Sequence, residues 1–178
     1  MILLASVVNF LRQVGLQVTY EKGARGFVNG VRIESGALAV DPECRPSALL
    51  HEAGHLAIVP GRFRSLMSDN LEAGIGEMFQ AIAEMDLCPD HPIARAAIQC
   101  SDTEATAWAW AVGVTIGLPA EEIIQDDEYD GDGAFIRVCL GANAYLGING
   151  LAHAGFCRVG RSGGLPRYPK LAFWTQAA

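Results

Sequence analysis

The chain has 178 residues, of which 51% are hydrophobic and 19% charged, and this predicts one globular domain with a sizeable buried core. Thirteen basic against twenty acidic residues give a net charge of −7, which argues against a nucleic-acid backbone as the main partner. The 20 glycines follow no G-x-y period, which excludes a collagen-like or low-complexity chain.

The sequence also argues against secretion and membrane insertion. The opening MILLASVVNFLRQVG lacks a basic n-region and an A-x-A-like cleavage site, as a signal peptide would have. The longest uncharged run, residues 105–120, is too short for a transmembrane helix. Five dispersed cysteines without a C-x-x-C pair favour reduced thiols, so we expect a cytoplasmic protein with no membrane partner.

Apolar periodicity predicts a helix over residues 3–14, followed by a compact β region. Asn29-Gly30 is typical of a two-residue hairpin turn. Strands are expected over residues 16–20, 26–29, 31–33 and 37–40. Helices are expected over residues 46–58, 71–86, 93–100, 101–116, 120–125 and 134–146. This order predicts an α+β fold, with a small antiparallel N-terminal sheet on a mainly helical domain. The domain would span residues 1–178, with a core over about 1–118 and a helical C-terminal extension over about 119–178.

His51, Glu52 and His55 form the pattern H-E-x-x-H inside one of these helices. Positions i and i+4 lie about 40° apart around a helix axis and about 6 Å apart along it, so both imidazoles leave the same face. Two neutral imidazoles placed in this way can hold Zn²⁺, while the Glu52 carboxylate can reach a metal-bound water. Zinc lowers the pKa of that water, and Glu52 would take its proton and deliver it to a leaving amine.

By chance, H-E-x-x-H arises on the order of once in a few hundred chains of this length. The residues around it are mostly uncharged, as expected of a helix that lies beneath a metal site and against a core. The alternative is a helix whose two histidines only pack or cap. The preceding strand, residues 37–40, is expected to be the edge along which an extended peptide substrate lies.

A catalytic zinc needs a third protein ligand and an open fourth position. The last histidine of the longer motif H-E-x-x-H-x-x-G-x-x-H would fall at Gly61, so the third ligand must come from farther along the chain. Glu104 is the first choice and Asp102 the alternative. Their side chains point about 200° apart on a helix, so both cannot be ligands. Glu104 also fits the N3 position of a capping box that begins at Ser101. Less favoured candidates are Glu72, Glu77, His91 and His153.

The order of a helix, short β-hairpins, VDPECRPSALLHEAGHLA and DTEATAWAWA resembles the ImmA/IrrE-like zinc metallopeptidases. These are gluzincin-like proteins of bacteria, phages and mobile elements, and the best-known members cleave repressors. The resemblance covers roughly residues 1–118 and implies a zincin-like domain. In it His51 and His55 would be metal ligands, Glu52 the general base, and an acidic residue of DTEA the third ligand.

The family's second motif, E-x-x-A-N-x-F-A, can be laid on Ala105. Asp102 then stands at the acidic position, Thr106 at the asparagine and Trp108 at the phenylalanine. An aspartate in place of the family's glutamate is the main departure from the pattern, and Glu104 stands immediately before the alanine, as a glutamate often does in the family.

These features predict a zinc-dependent metallopeptidase that hydrolyses a peptide bond, in one specific partner protein. The alternative is a non-proteolytic, metal-binding regulatory or interaction protein of a phage or mobile element, and a third is an amide hydrolase for a small molecule. Glu52 favours an enzyme, because a structural site needs no carboxylate beside its ligand and closes its fourth position. Candidates for a hydrogen bond to an oxyanion are Tyr129, Tyr145 and Tyr168.

Overall fold

The computed structural model describes residues 2–161 and 163–178, and it confirms the α+β class. The strands are β1 (Val18–Tyr20), β2 (Val31–Glu34) and β3 (Ala37–Val40). The helices are α1 (Ile2–Gln13), α2 (Pro46–Ile58), α3 (Leu71–Glu84), α4 (Pro92–Ala97), α5 (Asp102–Thr115), α6 (Ala120–Ile123), α7 (Gly133–Gly141) and α8 (Gly147–His153). Short 3-10 turns cover Gly61–Leu66 and Tyr129–Gly131. In these residues no helix has the length and apolarity that a membrane crossing would require.

The sheet is mixed rather than antiparallel, which corrects the prediction. Its order is β1-β3-β2, with β3 parallel to β1 and antiparallel to β2. Residues 21–30 carry the chain from one side of β3 to the other, so the first two strands flank the third. The prediction that residues 37–40 form an edge is therefore wrong. The continuous apolar run Ala-Leu-Ala-Val is typical of a central, buried strand.

The hairpin between β2 and β3 turns at Ser35 and Gly36, both with positive φ (49° and 78°), as a type I′ turn requires. Asn29-Gly30 is not a hairpin turn between strands. The segment 26–29, predicted as a strand, forms only an isolated bridge between Arg25 and Asn29. The N–H of Val31 bonds back to the carbonyl of Val28, so this stretch is a folded loop.

Helix α2 lies at the centre of the molecule and carries H-E-x-x-H. It begins at Pro46, whose missing N–H costs nothing in the first turn, and it ends before Pro60. All but two of its residues are buried, since it packs on both the sheet and α5. A Cβ on Gly54 would lie 2.6 Å from the carbonyl oxygen of Ala105, so only glycine permits this close approach of α2 and α5.

The helix predicted over residues 134–146 is shorter than expected, because α7 ends at Gly141, and α8, which the sequence did not predict, follows the turn after it. The chain leaves α7 at Gly141 and turns through Asn143 in the left-handed region (φ 56°) before α8. Gly147 and Gly150 of α8 lie directly against the first turn of α5, at the carbonyl of Thr103 and the carboxylate of Glu104. Helix α8 therefore supports the start of α5.

The C-terminal tail packs against α2 and α5. The indole N–H of Trp108 donates to the carbonyl of Trp174 (2.8 Å), and the hydroxyl of Tyr168 donates to the carbonyl of Ala107 (2.8 Å). The N–H of Gln176 donates to the carbonyl of Ala57 near the end of α2 (2.8 Å). Residues of the proposed extension thus share one buried core with the N-terminal part.

Candidate metal centre

The structure brings His51, His55 and Asp102 together at the junction of α2 and α5. The two Nε2 atoms of the histidines lie 3.2 Å apart. One carboxylate oxygen of Asp102, Oδ1, lies 3.2 Å from Nε2 of His55 and 3.8 Å from Nε2 of His51. The His55 side chain is buried (8% exposed) and that of His51 is mostly buried (22%), while Asp102 is open to solvent (82%).

These spacings fit one metal ion. Donor atoms bound at about 2.05 Å in a tetrahedral site lie about 3.3 Å from one another. The observed 3.2, 3.2 and 3.8 Å fall around that value. The group can therefore hold a metal ion, and no fourth His, Cys, Asp or Glu in the described part of the chain joins it.

Glu104, the first choice for the third ligand, lies elsewhere, and the alternative Asp102 takes the position beside the histidines. The Glu104 carboxylate is buried beneath α8 and accepts hydrogen bonds from the hydroxyls of Ser101 and Thr103 (3.1 Å from Thr103). Residues 102 and 104 point to different sides of α5, as the helical geometry predicts. Gly150 of α8 leaves the space that the Glu104 carboxylate occupies on its side of α5.

The electrostatic environment favours the metal-binding forms of the ligands. Burial, with the neighbouring His55, lowers the pKa of His51 to about 4, so this imidazole is neutral at pH 7. The hydrogen bond with His55 lowers the pKa of Asp102, and the two nearby imidazoles act in the same direction. Neutral imidazole and ionised carboxylate are the forms that coordinate metals.

Glu52 is buried (6% exposed) next to the two histidines and lines the same cleft. Burial raises the pKa of its carboxyl, His55 opposes this shift, and Asp69 and Asp102 reinforce it. Its carboxylate is thus placed beside the ligand group without being part of it.

The cleft above the histidines has a volume of about 610 Å³. Its lining includes Phe27 and Val28 of the loop between β1 and β2, together with residues 69–72 at the start of α3. A smaller recess of about 170 Å³ shares Val28 and His51 with the cleft and extends to Ala48 and Tyr129. The cleft lining carries four carboxylates and no lysine or arginine: Glu52, Asp69, Glu72 and Asp102.

The acidic segment DDEYDGDG, residues 126–133, is fixed to the first part of α2 by three contacts. Asp127 pairs with Arg45 (3.0 Å), and Glu128 accepts a hydrogen bond from Ser47 (2.6 Å). The hydroxyl of Tyr129 lies 3.2 Å from Nδ1 of His51. Local sequence could not show this, because the three contacts join residues about eighty positions apart.

The other predicted site residues are not at the metal group. Tyr168 donates its hydroxyl to a backbone carbonyl, so it is not available to an oxyanion, and Tyr145 lies partly buried near Thr106. His91 accepts a hydrogen bond from the N–H of Ile93 at the start of α4. Glu72 lines the cleft, and Glu77 and His153 are not part of the ligand group.

No family model, no curated protein and no solved structure matches this chain. The resemblance to the ImmA/IrrE-like metallopeptidases therefore depends on the motif residues themselves.

Proposed function

We propose that this chain is a zinc-dependent metallopeptidase, related to the ImmA/IrrE-like proteins, that acts on a peptide segment of a partner protein. The observation that carries the proposal is the arrangement of His51, His55 and Asp102 at tetrahedral spacing, with the buried Glu52 carboxylate beside them in an open cleft. Asp102 stands where the family's second motif has its acidic residue, which supports the relationship.

The donor set favours zinc over other metals. Two imidazole nitrogens and one carboxylate oxygen suit Zn²⁺, whereas Ca²⁺ and Mg²⁺ prefer sites built from oxygen. The same donors also form the facial triad of iron enzymes, but in an octahedral site adjacent donors lie about 3.0 Å apart. The spacings in this protein, 3.2 to 3.8 Å, have a mean close to the tetrahedral value of about 3.3 Å.

The residues of the cleft have separate roles in this reaction. The ion, when bound, would polarise the peptide carbonyl and make a water molecule acidic. Glu52 would accept the proton of the attacking water at its carboxylate and pass it to the leaving nitrogen, which two neighbouring neutral imidazoles could not do while they act as ligands. The absence of a fourth side chain from the ligand group, among the described residues, leaves room for water and substrate.

The substrate segment would lie in the cleft lined by Phe27, Val28 and the start of α3, and not along β3, which is paired on both sides. Asp69 and Glu72 in the cleft lining favour a segment that carries a basic side chain. The recess beside Ala48, lined also by Val28 and Tyr129, has a volume of about 170 Å³ and would accept one side chain of moderate size.

The alternative, a metal-binding protein without peptidase activity, would use the same three ligands. It assigns no role to the Glu52 carboxylate, whose burial beside the site has a cost in free energy. An amide hydrolase for a small molecule would share the chemistry and differ in the cleft, which at about 610 Å³ has the volume to take a peptide segment.

The first test is zinc content by elemental analysis of purified protein. We expect about one zinc per chain in the wild type, and loss of zinc in His51→Ala and Asp102→Ala. Glu104→Gln is the matched control, because it neutralises a carboxylate of the same helix outside the ligand group, and it should keep its zinc. Retained zinc in Asp102→Ala would refute the ligand assignment.

The second test concerns Glu52. Glu52→Gln should keep its zinc and lose cleavage of a peptide library, with a fall of roughly 10²–10⁴-fold as for a general base. A wild-type protein that takes up no zinc when it is supplied would overturn the metal site. Cleavage by Glu52→Gln at the wild-type rate would overturn the role of the carboxylate.

A further inference from the structure

The ring nitrogen of His51 that faces away from the proposed metal lies at the start of a chain of hydroxyl groups. Its Nδ1 is 3.2 Å from the hydroxyl oxygen of Tyr129 and 3.4 Å from that of Thr106. The two hydroxyls are 2.9 Å apart. The Thr106 hydroxyl lies 2.8 Å from the backbone carbonyl oxygen of Asp102.

The carbonyl at the end of this chain sets the direction of every bond in it. A carbonyl oxygen can only accept, so the single hydroxyl proton of Thr106 is donated to Asp102. The Thr106 oxygen can then only accept from Tyr129, whose own single proton is used in that bond. This direction leaves the Tyr129 oxygen as an acceptor, which favours the proton on Nδ1 of His51, 3.2 Å away.

The placement of Tyr129 depends on contacts along the whole start of α2. Asp127 with Arg45 and Glu128 with Ser47 fix the two residues before it, and Glu128 also accepts from the backbone N–H of Gln125 (2.9 Å). Tyr129 itself adopts a left-handed backbone conformation (φ 57°), which is uncommon for any residue other than glycine. The surrounding contacts hold this conformation, which points to a specific role for the phenol.

We propose that Tyr129 is a positioning residue for the metal site, which holds His51 in the tautomer with the proton on Nδ1. In that tautomer the lone pair of Nε2 faces His55 and Asp102, and the imidazole can bind a metal without first moving a proton. A ligand imidazole whose other nitrogen is hydrogen-bonded is held in its tautomer and orientation, and loss of such partners lowers metal affinity. This inference rests on the proposed metal site and not on peptidase activity.

Tyr129→Phe tests the proposal because it removes the hydroxyl and keeps the ring. The first measurement is the tautomer of His51 in metal-free protein, from ¹⁵N NMR of the imidazoles at pH 7.5. The chain has only four histidines, and the missing signal of His51→Gln assigns the resonance. We expect the Nδ1–H form in the wild type and a shift towards the Nε2–H form in Tyr129→Phe.

The second measurement is zinc affinity, by competition with a chromogenic chelator. We expect Tyr129→Phe to bind zinc about 10–100-fold more weakly than the wild type. Thr106→Ser keeps a hydroxyl and should retain the wild-type tautomer and zinc affinity. Thr106→Val removes the hydroxyl and should change both in the same direction as Tyr129→Phe. Tyr168→Phe is the control, because it removes a buried hydroxyl that donates to the next residue of α5, Ala107, without contacting His51, and its affinity should not change.

An unchanged tautomer together with an affinity within twofold of the wild type in Tyr129→Phe would overturn the proposal. A wild-type protein with the Nε2–H tautomer would overturn it as well. A wild type that binds no zinc would instead refute the proposed function, and the spectrum of the metal-free protein would still decide the role of Tyr129.

Discussion

Replacement of Gly54 by alanine tests whether the spacing of α2 and α5 sets the metal site. The added Cβ would lie 2.6 Å from the carbonyl oxygen of Ala105 and 2.9 Å from its Cα, and these backbone atoms cannot rotate away. An ordinary carbon–oxygen contact is about 3.3 Å or longer, so the helices must separate by about 0.7 Å. Overpacking of this kind costs about 1–3 kcal/mol, against a gain of about 1 kcal/mol from the helix propensity of alanine.

The net expectation is a loss of up to about 2 kcal/mol in the free energy of unfolding, measured by urea denaturation with a chelator present. Zinc affinity should fall as well. Asp102 lies one turn from Ala105, and a shift of about 0.7 Å exceeds the tolerance of about 0.2 Å in metal–ligand distances.

Gly76→Ala is the matched control, because Gly76 lies in α3 with no atom within 4 Å of the added Cβ. It should stabilise the protein by about 0.5–1 kcal/mol and leave zinc binding unchanged. If Gly54→Ala is stabilised as much as Gly76→Ala and binds zinc normally, the two helices separate freely and the reasoning is refuted.

Three further predictions concern the stability of the protein. In metal-free protein, folding lowers the pKa of His51 to about 4, so stability should fall by up to about 3 kcal/mol as the pH drops from about 6.5 to 4. Urea denaturation at several pH values checks this, and His51→Gln should flatten the profile. Trp174→Ala removes an aromatic ring that packs on Phe10 (5.0 Å between ring centroids) and on Trp108 (6.4 Å). The variant should lose roughly 3 kcal/mol in the free energy of unfolding, and an unchanged urea midpoint would contradict this. Zinc at about 100 times its dissociation constant should raise the free energy of unfolding by about 2.7 kcal/mol, and a chelator should remove this gain. An equal melting temperature with and without chelator would contradict specific binding of zinc to the native state.

The motif helix could be predicted from the sequence because its determinants are local. Pro46 begins it, Pro60 ends it, and the positions of His51 and His55 on one face follow from the helical repeat alone. The same repeat shows that Asp102 and Glu104 point to different sides of α5. Which of them faces α2 is a matter of tertiary packing, and no local pattern decides it.

The strand order was predicted wrongly and α8 was missed, for a related reason. The order of strands depends on where residues 21–30 take the chain, and nothing in those residues distinguishes a return beside β1 from a crossing to the far side of β3. Helix α8 contains two glycines, which have low helix propensity, and they are tolerated there because each one allows contact with α5. A residue that is unfavourable locally can be required by packing.

The metal group is therefore held by tertiary contacts around it rather than by the chain next to each ligand. Asp102 is positioned by the contact of Gly54 with Ala105, by α8 behind the first turn of α5, and by the hydroxyl of Thr106. The buried core beneath these contacts is apolar and includes α2 and α5 themselves, so the metal-free protein should fold on its own. A zinc finger folds only when its ion is bound, whereas in this protein the packing of the helices sets the spacing of the donor atoms. Zinc affinity should then depend on the position of α5 relative to α2. Variants that weaken the packing of α8 on α5 should lower zinc affinity although every ligand is unchanged.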